Sequence, residues 1–341
     1  MVETLYTNHN TQYDISCIIV LTIAIFGVFG NAVTLVVFQY AKLKRKYDFH
    51  KSWNTSTLFI FNLAVVDFLS SLNMTIIYVQ FVFSPQTINE KTVCIGLITL
   101  RDILVLINAS AIACIAIVRV IGVTKNIEWE NFCDNSSNVN GVIVLTWVVG
   151  FLFYIGKLTK VAELSNSQEF EDSFDCGSFF FKLNLSPITL YSEFSAHFLA
   201  ILIIVVSYAL IATHVYKTSA SVGRHNTTQT TQVVLVVGGL YIVQCLPYMI
   251  ARYWFEDTMR VGFFIQFPLL LKLCYIIYYT QFSLNIFIYI MRKDDYRSAY
   301  VYFMKSVASR YCFSNNENSD SSQHTPTVSY THLTLPTNRE V

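Results

Sequence analysis

Apolar residues along this chain gather into seven long stretches, with polar residues set singly inside them. The stretches cover roughly residues 15–38, 57–83, 93–121, 140–155, 187–216, 230–254 and 263–291. About 20 apolar residues at 1.5 Å each span a hydrocarbon layer of ~30 Å, so most of these segments predict bilayer-crossing helices. The first has no charged residue at all. Inside the others lie Asp67, Arg101, Asp102, Asn108, Arg119, Glu193 and Asn285. A carboxylate or guanidinium in lipid costs several kcal/mol unless partnered, so these groups are expected to face the interior of a helix bundle or a water-filled cavity. The fold class expected is an all-α membrane protein, a seven-transmembrane helix bundle with a short amphipathic helix after the last span.

Composition agrees with that pattern. Apolar residues make up 54% of the chain and charged residues 13%, against about 25% charged in soluble proteins. With 341 residues mostly consumed by spans, one polytopic unit is expected: an outer N-terminus over residues 1–14, the bundle over 15–291, a juxtamembrane helix over 292–306 and a disordered tail over 307–341. No nucleic acid is expected, and the net charge of +1 says nothing about a partner. Its distribution does set an orientation. With the N-terminus outside, thirteen Lys and Arg residues up to Arg310 fall on inner segments, among them Lys42, Lys44, Arg45 and Lys46, and six on outer ones. The positive-inside rule therefore places the N-terminus outside and the tail in the cytoplasm. Residues 1–14 lack the basic, apolar, small-residue succession of a cleavable signal, so the first span is expected to act as its own insertion signal.

Several motifs fall in order at matching depths. Gly30-Asn31 lies in the first stretch and Asn62-Leu63-Ala64-Val65-Val66-Asp67 in the second. Cys94 opens the third and Arg119 follows 25 residues later; Trp147 lies in the fourth and Tyr208 near the inner end of the fifth. Cys245-Leu246-Pro247 and Asn285-Ile286-Phe287-Ile288-Tyr289 occupy the sixth and seventh. On these residues the chain resembles the rhodopsin-like G-protein-coupled receptors over about nine-tenths of its length. It departs from them at Val118-Arg119-Val120 in place of DRY, at Cys245 in place of the toggle tryptophan, at Ala200 in place of the fifth-span proline, and at Ile286 in place of the proline of NPxxY.

The resemblance implies a non-enzyme: a plasma-membrane receptor for an extracellular peptide or small molecule, coupled to a heterotrimeric G-protein and regulated by arrestin and a receptor kinase. Asn31, Asn108 and Asn285 fall at depths that could surround Asp67. Such a cluster could hold a sodium ion or a water network, hard cations preferring oxygen ligands. The other reading is a protonated, hydrogen-bonded aspartate, and no other cofactor or metal is expected. Arg119, with Tyr208 and Tyr289 as companions, is the expected coupling residue, and a snorkelling interfacial arginine is the alternative. Pro247 should kink the sixth span and let its inner end swing outward. Cys94 and Cys176, both in an oxidising compartment, are the expected disulfide.

Charged and polar groups in the outer thirds of the spans define a candidate ligand pocket: Arg101, Asp102, Glu193, His197, Arg252, Lys272 and Tyr279. Arg101 stands where amine receptors of the family keep an aspartate, so a monoamine ligand is not expected. Tyr279 stands where opsins keep the Schiff-base lysine. The basic groups would suit a carboxylate, unless Asp102 or Glu193 neutralises Arg101 within the bundle. Glu163, Glu169, Glu171, Asp172 and Asp175 would steer a basic peptide to the mouth or form a solvated face. Asn184 begins a sequon in an outer segment, and Cys312 after the last span is a candidate palmitoylation site. Rival readings are a non-coupling decoy or partner subunit, a secondary transporter, which should show internal repeats that are not visible here, and a retinal-type pump, for which Lys272 lies too near the outer end.

Overall fold

Among the described residues large apolar side chains are exposed on the helix surfaces, while a set of polar ones is buried within a mainly apolar core. The structure, a computed structural model, describes residues 15–44, 55–83, 91–124, 135–167, 176, 187–219, 236–251, 268–292 and 294–319. Within them the helices run in the order α1 (Ile15–Lys44), α2 (Thr55–Phe83), α3 (Lys91–Thr124), α4 (Ser136–Ser165) and α5 (Pro187–Ser219). There follow α6 (Val236–Ala251), then α7 (Pro268–Tyr279), α8 (Gln281–Arg292) and α9 (Asp294–Ser319). Among the described residues there is no strand. The chain divides into two units, residues 1–299 and 300–341.

Among the described residues four segments are long and apolar enough to cross a bilayer: Ile15–Tyr40, Leu58–Val79, Lys91–Thr124 and Tyr191–His214. In the fourth and sixth stretches the apolar helical parts are shorter, Ser137–Leu152 and Val236–Ala251. Phe26, Phe29, Val144, Leu145, Leu152 and Phe198 are exposed, whereas Asn31, Asp67, Asn73, Asn108, His197 and Asn285 are buried. In water such a surface would be an aggregation hazard; in lipid it is the low-energy arrangement, because every helical backbone group is satisfied within its own segment.

Helix α3 is the central element. It packs against α2, α4 and α5, and its middle, from Arg101 through Ala109, is buried at every position. Helix α1 packs on α2, α7 and α8. Gly27 makes that approach possible: a Cβ there would stand 2.7 Å from Ser283 Oγ and closer still to Ser71 Oγ. Trp147 of α4 donates its Nε1–H to Asn62 Oδ1 of α2 at 3.0 Å. At one end Lys91 donates to the Ser165 carbonyl, tying the start of α3 to the end of α4.

Three boundaries differ from those expected. Helix α4 continues to Ser165, ten residues past its apolar stretch, and its exposed extension carries a Lys160–Glu163 pair at 2.7 Å. The seventh stretch is two helices, broken at Thr280. Thr280 N–H and Oγ1 both donate to the Ile277 carbonyl, at 3.1 and 2.6 Å. The N–H bond reaches back three residues rather than four, a tightened turn that interrupts the helix without a proline, and the hydroxyl bond reinforces it. Lastly, α9 runs to Ser319 rather than 306, so residues 307–319, expected as disordered tail, are helical. The sequence offers no glycine or proline between Pro268 and Pro326 to stop the helix.

Candidate functional site

Two groups of buried polar residues stand out, one around Arg101 in the first half of α3 and one around Asp67. In the first, Arg101 reaches two carboxylates. Its Nη2 lies 2.7 Å from Asp102 Oδ1 and its Nε donates to the same oxygen at 2.9 Å. The same Nη2 lies 3.2 Å from Glu193 Oε1 on α5. All three side chains are buried, Asp102 completely. The arrangement follows from helix geometry: a long guanidinium folds back to its sequence neighbour and still spans to α5, with which α3 packs. Arg101 is thus compensated inside the bundle, by both acids for which the sequence left that role open.

Around this group stands a layer of tyrosines. Tyr279 Oη donates to Tyr275 Oη at 2.8 Å, and Tyr78 of α2 meets Tyr279 edge-on at 6.3 Å between centroids. Tyr248 of α6 stacks on Tyr278 at 4.3 Å. His197, one turn from Glu193 on α5, bonds through Nδ1 to Tyr241 Oη at 2.6 Å and through Nε2 to Tyr278 Oη at 3.1 Å. Of these aromatic residues only His197 and Tyr279 were legible as pocket candidates. Tyr78, Tyr241, Tyr248, Tyr275 and Tyr278 were missed because a tyrosine on an apolar stripe reads as one more apolar residue. The recurrence of tyrosine at 275, 278 and 279, on one helical face, was the available signal.

The second group centres on Asp67, which is fully buried. Asn108 Nδ2 of α3 donates to its Oδ1 and Asn285 Nδ2 of α8 to its Oδ2, both at 2.7 Å. Asn31 does not bond the carboxylate; its Nδ2 donates to the carbonyls of Phe282 at 2.8 Å and Gly27 at 2.9 Å. Among the described residues the buried oxygens Asn31 Oδ1, Asn108 Oδ1, Ser70 Oγ and Ser71 Oγ have no hydrogen-bond partner. Ser70 and Ser71 lie one turn from Asp67 on α2, on its face. A carboxylate with unpartnered oxygens nearby fits a hard cation or waters, since buried acceptors demand donors or a metal. Ser71 also lines a small cavity between α1, α2, α7 and α8, together with Met74, Tyr279 and Ser283.

Toward the C-terminal end of α3, Arg119 has a buried Nε without a hydrogen-bond partner among the described residues, its neighbour being Val118. Tyr208 of α5 is seated on Gly238 of α6, where any Cβ would collide with the phenol. Helix α6 continues on both sides of Pro247. Cys94 and Cys176 form a disulfide, with Cα atoms 5.9 Å apart. Arg252 and Asn184 lie outside the described residues, as do the acidic residues 169–175; Lys272, Tyr289 and Cys312 are helical, their side chains outside the description. Among the described residues no group of His, Cys, Asp and Glu is arranged to hold a metal ion as a cluster of three or more.

The order of these features, with Asp67, Arg119 and the Asn285–Tyr289 segment in register, corresponds to a known family. The family model of the 7 transmembrane receptor (rhodopsin family) matches residues 30–289. The chain belongs to this family. Members of the rhodopsin family are receptors rather than enzymes, with a ligand and a G-protein as their general partners, and the chain is accordingly a multi-pass plasma-membrane protein. No curated protein matches it significantly.

Proposed function

We propose that this chain is a cell-surface receptor of seven spans, with its N-terminus outside, that binds an extracellular peptide and activates a heterotrimeric G-protein as α6 swings outward. The observation that carries this reading is the family match across residues 30–289. Two features of α3 support it. Its outer half holds the Arg101–Asp102–Glu193 group beside the tyrosine layer, and its inner end holds Arg119. One rigid helix thus joins a ligand-facing charge cluster to a coupling arginine about 27 Å away, at 1.5 Å per residue.

A peptide fits this pocket better than a monoamine. Asp102 and Glu193 are already engaged by Arg101, so neither stands ready to take an ammonium on the α3 wall, and the run of acidic residues between 163 and 175 favours a chain with a basic stretch. Tyrosines offer apolar faces and hydroxyls together, which suits peptide backbones and aromatic side chains. The test is G-protein dissociation in cells displaying the chain, challenged with pooled basic peptides and with a monoamine panel. A response to the peptides alone is expected; a response to monoamines alone would overturn the assignment.

The Asp67 cluster is the proposed site of a sodium ion that favours the resting packing, with Asp67 as the charged ligand and Asn108, Asn285 and Ser71 as neutral oxygens nearby. Raising sodium from 1 to 100 times its dissociation constant stabilises a one-site receptor by about 2.3 kcal/mol. The thermal midpoint of the purified chain should therefore rise with sodium but not with choline. Asp67→Asn should abolish that dependence. An equal sodium response in wild type and Asp67→Asn would leave water as the occupant.

A further inference from the structure

The break at Thr280 is where α5, α6, α7 and α8 are joined by side chains. His197 of α5 bonds Tyr241 of α6 and Tyr278 of α7 at 2.6 and 3.1 Å, and all three residues are buried. A neutral imidazole has one donor and one acceptor nitrogen, so one phenol donates to it while the other accepts. One turn further along α6, the adjacent residues Gln244 and Cys245 reach the adjacent residues Thr280 and Gln281. Gln244 Nε2 donates to Thr280 Oγ1 at 2.9 Å, and Cys245 Sγ donates to Gln281 Oε1 at 3.4 Å. Thr280 accepts that bond while its own hydroxyl proton closes on the Ile277 carbonyl. Thr280 thus ties α6 to the break while its hydroxyl stays bonded to its own backbone.

We propose that these bonds act together as one polar clasp, holding α6 against the broken seventh segment so that α6 moves relative to α5 and α7 only when the clasp opens. The proposal rests on the reading above, in which α6 swings outward during signalling. The clasp sits between the two buried groups and touches both. Glu193 lies one turn from His197 on α5, and Asn285 Nδ2, which holds Asp67, also donates to the Gln281 carbonyl at 3.2 Å. The clasp therefore adjoins the Arg101 group through one turn of α5 and the Asp67 cluster through the Gln281 carbonyl, and it offers a physical route by which occupancy at one end biases the other. Cys245 and Tyr241 are well suited to this role. A thiol and a phenol hydrogen-bond where a large apolar ring would only pack, so the restraint is directional and is lost when the partners separate by an ångström or so.

Amide hydrogen exchange of the full chain in lipid nanodiscs, read by mass spectrometry over residues 236–251 with α3 as the internal reference, tests the clasp without needing a G-protein. His197→Phe, which keeps the bulk and removes both bonds, and Thr280→Val, which keeps the shape and removes the acceptor, should each speed exchange in α6 by about tenfold, the size of one lost buried hydrogen bond. Exchange in α3 should stay unchanged. The double variant should gain little over either single one, because groups that act as a unit are not additive. Unaltered α6 exchange in both variants, or an equal rise in α3 and α6, would overturn the proposal. A rise confined to α6 in a chain that activates no G-protein would uphold the clasp and refute the coupling reading, so the two fail separately.

Discussion

Replacing Arg101 with methionine is expected to destabilise the purified chain by about 3–5 kcal/mol, the cost of breaking a buried ion pair from one side. The methionine fills similar space, so the loss is electrostatic. Asp102 and Glu193 lose the guanidinium that both contact, at 2.7 and 3.2 Å, while their exposures of 0% and 5% deny them water. A thermal unfolding series in detergent reads the effect. Adding Asp102→Leu and Glu193→Gln to Arg101→Met should recover most of it, because removing every member of a buried group can be nearly neutral. A single variant as stable as wild type would mean that the three groups do not depend on one another, and the pocket would need to be drawn differently.

Loss of the disulfide is the second large effect. Cys94 and Cys176 close a separation of 82 residues, for which the chain-entropy estimate is about 4.5 kcal/mol. That figure is an upper bound here, because helices inserted in a bilayer retain order when their packing is lost. Cys94→Ser should cut surface display severalfold, and Cys176→Ser should do the same. The double variant should be no worse than either, since each single change already removes the whole bond. Full surface display of Cys94→Ser would show that α3 and the segment before α5 are positioned without it.

What the sequence revealed and what it hid follow from how each kind of signal arises. Hydropathy locates spans well because a bilayer imposes one length and forbids unpaired backbone; α1, α2, α3 and α5 stand close to where their apolar stretches lie. Asp67 was conspicuous because a lone carboxylate in an apolar run must find partners, and Asn108 and Asn285 supply them. Arg101 was conspicuous for the same reason, although its partners required knowing that α3 faces α5. The break at Thr280 was hidden. Breaks read from sequence rely on proline and glycine, and a threonine back-bond carries no such mark. Gln244 and Tyr241 were hidden too, and Cys245 stood out only as a missing tryptophan, because their significance lies in what α5, Thr280 and α8 present to them. The far ends of α4 and α9 were misjudged because apolar content was used to end them, whereas helices continue through polar residues until something stops them.

The central claim is that this receptor transmits a signal through Arg119 to a G-protein. It is tested most directly by G-protein dissociation in cells expressing wild type and Arg119→Ala at equal surface levels, first without ligand and then with the peptide pool. The account predicts a response in wild type that Arg119→Ala abolishes. Silence of a well-displayed wild-type chain, or a response of equal size in Arg119→Ala, would contradict it.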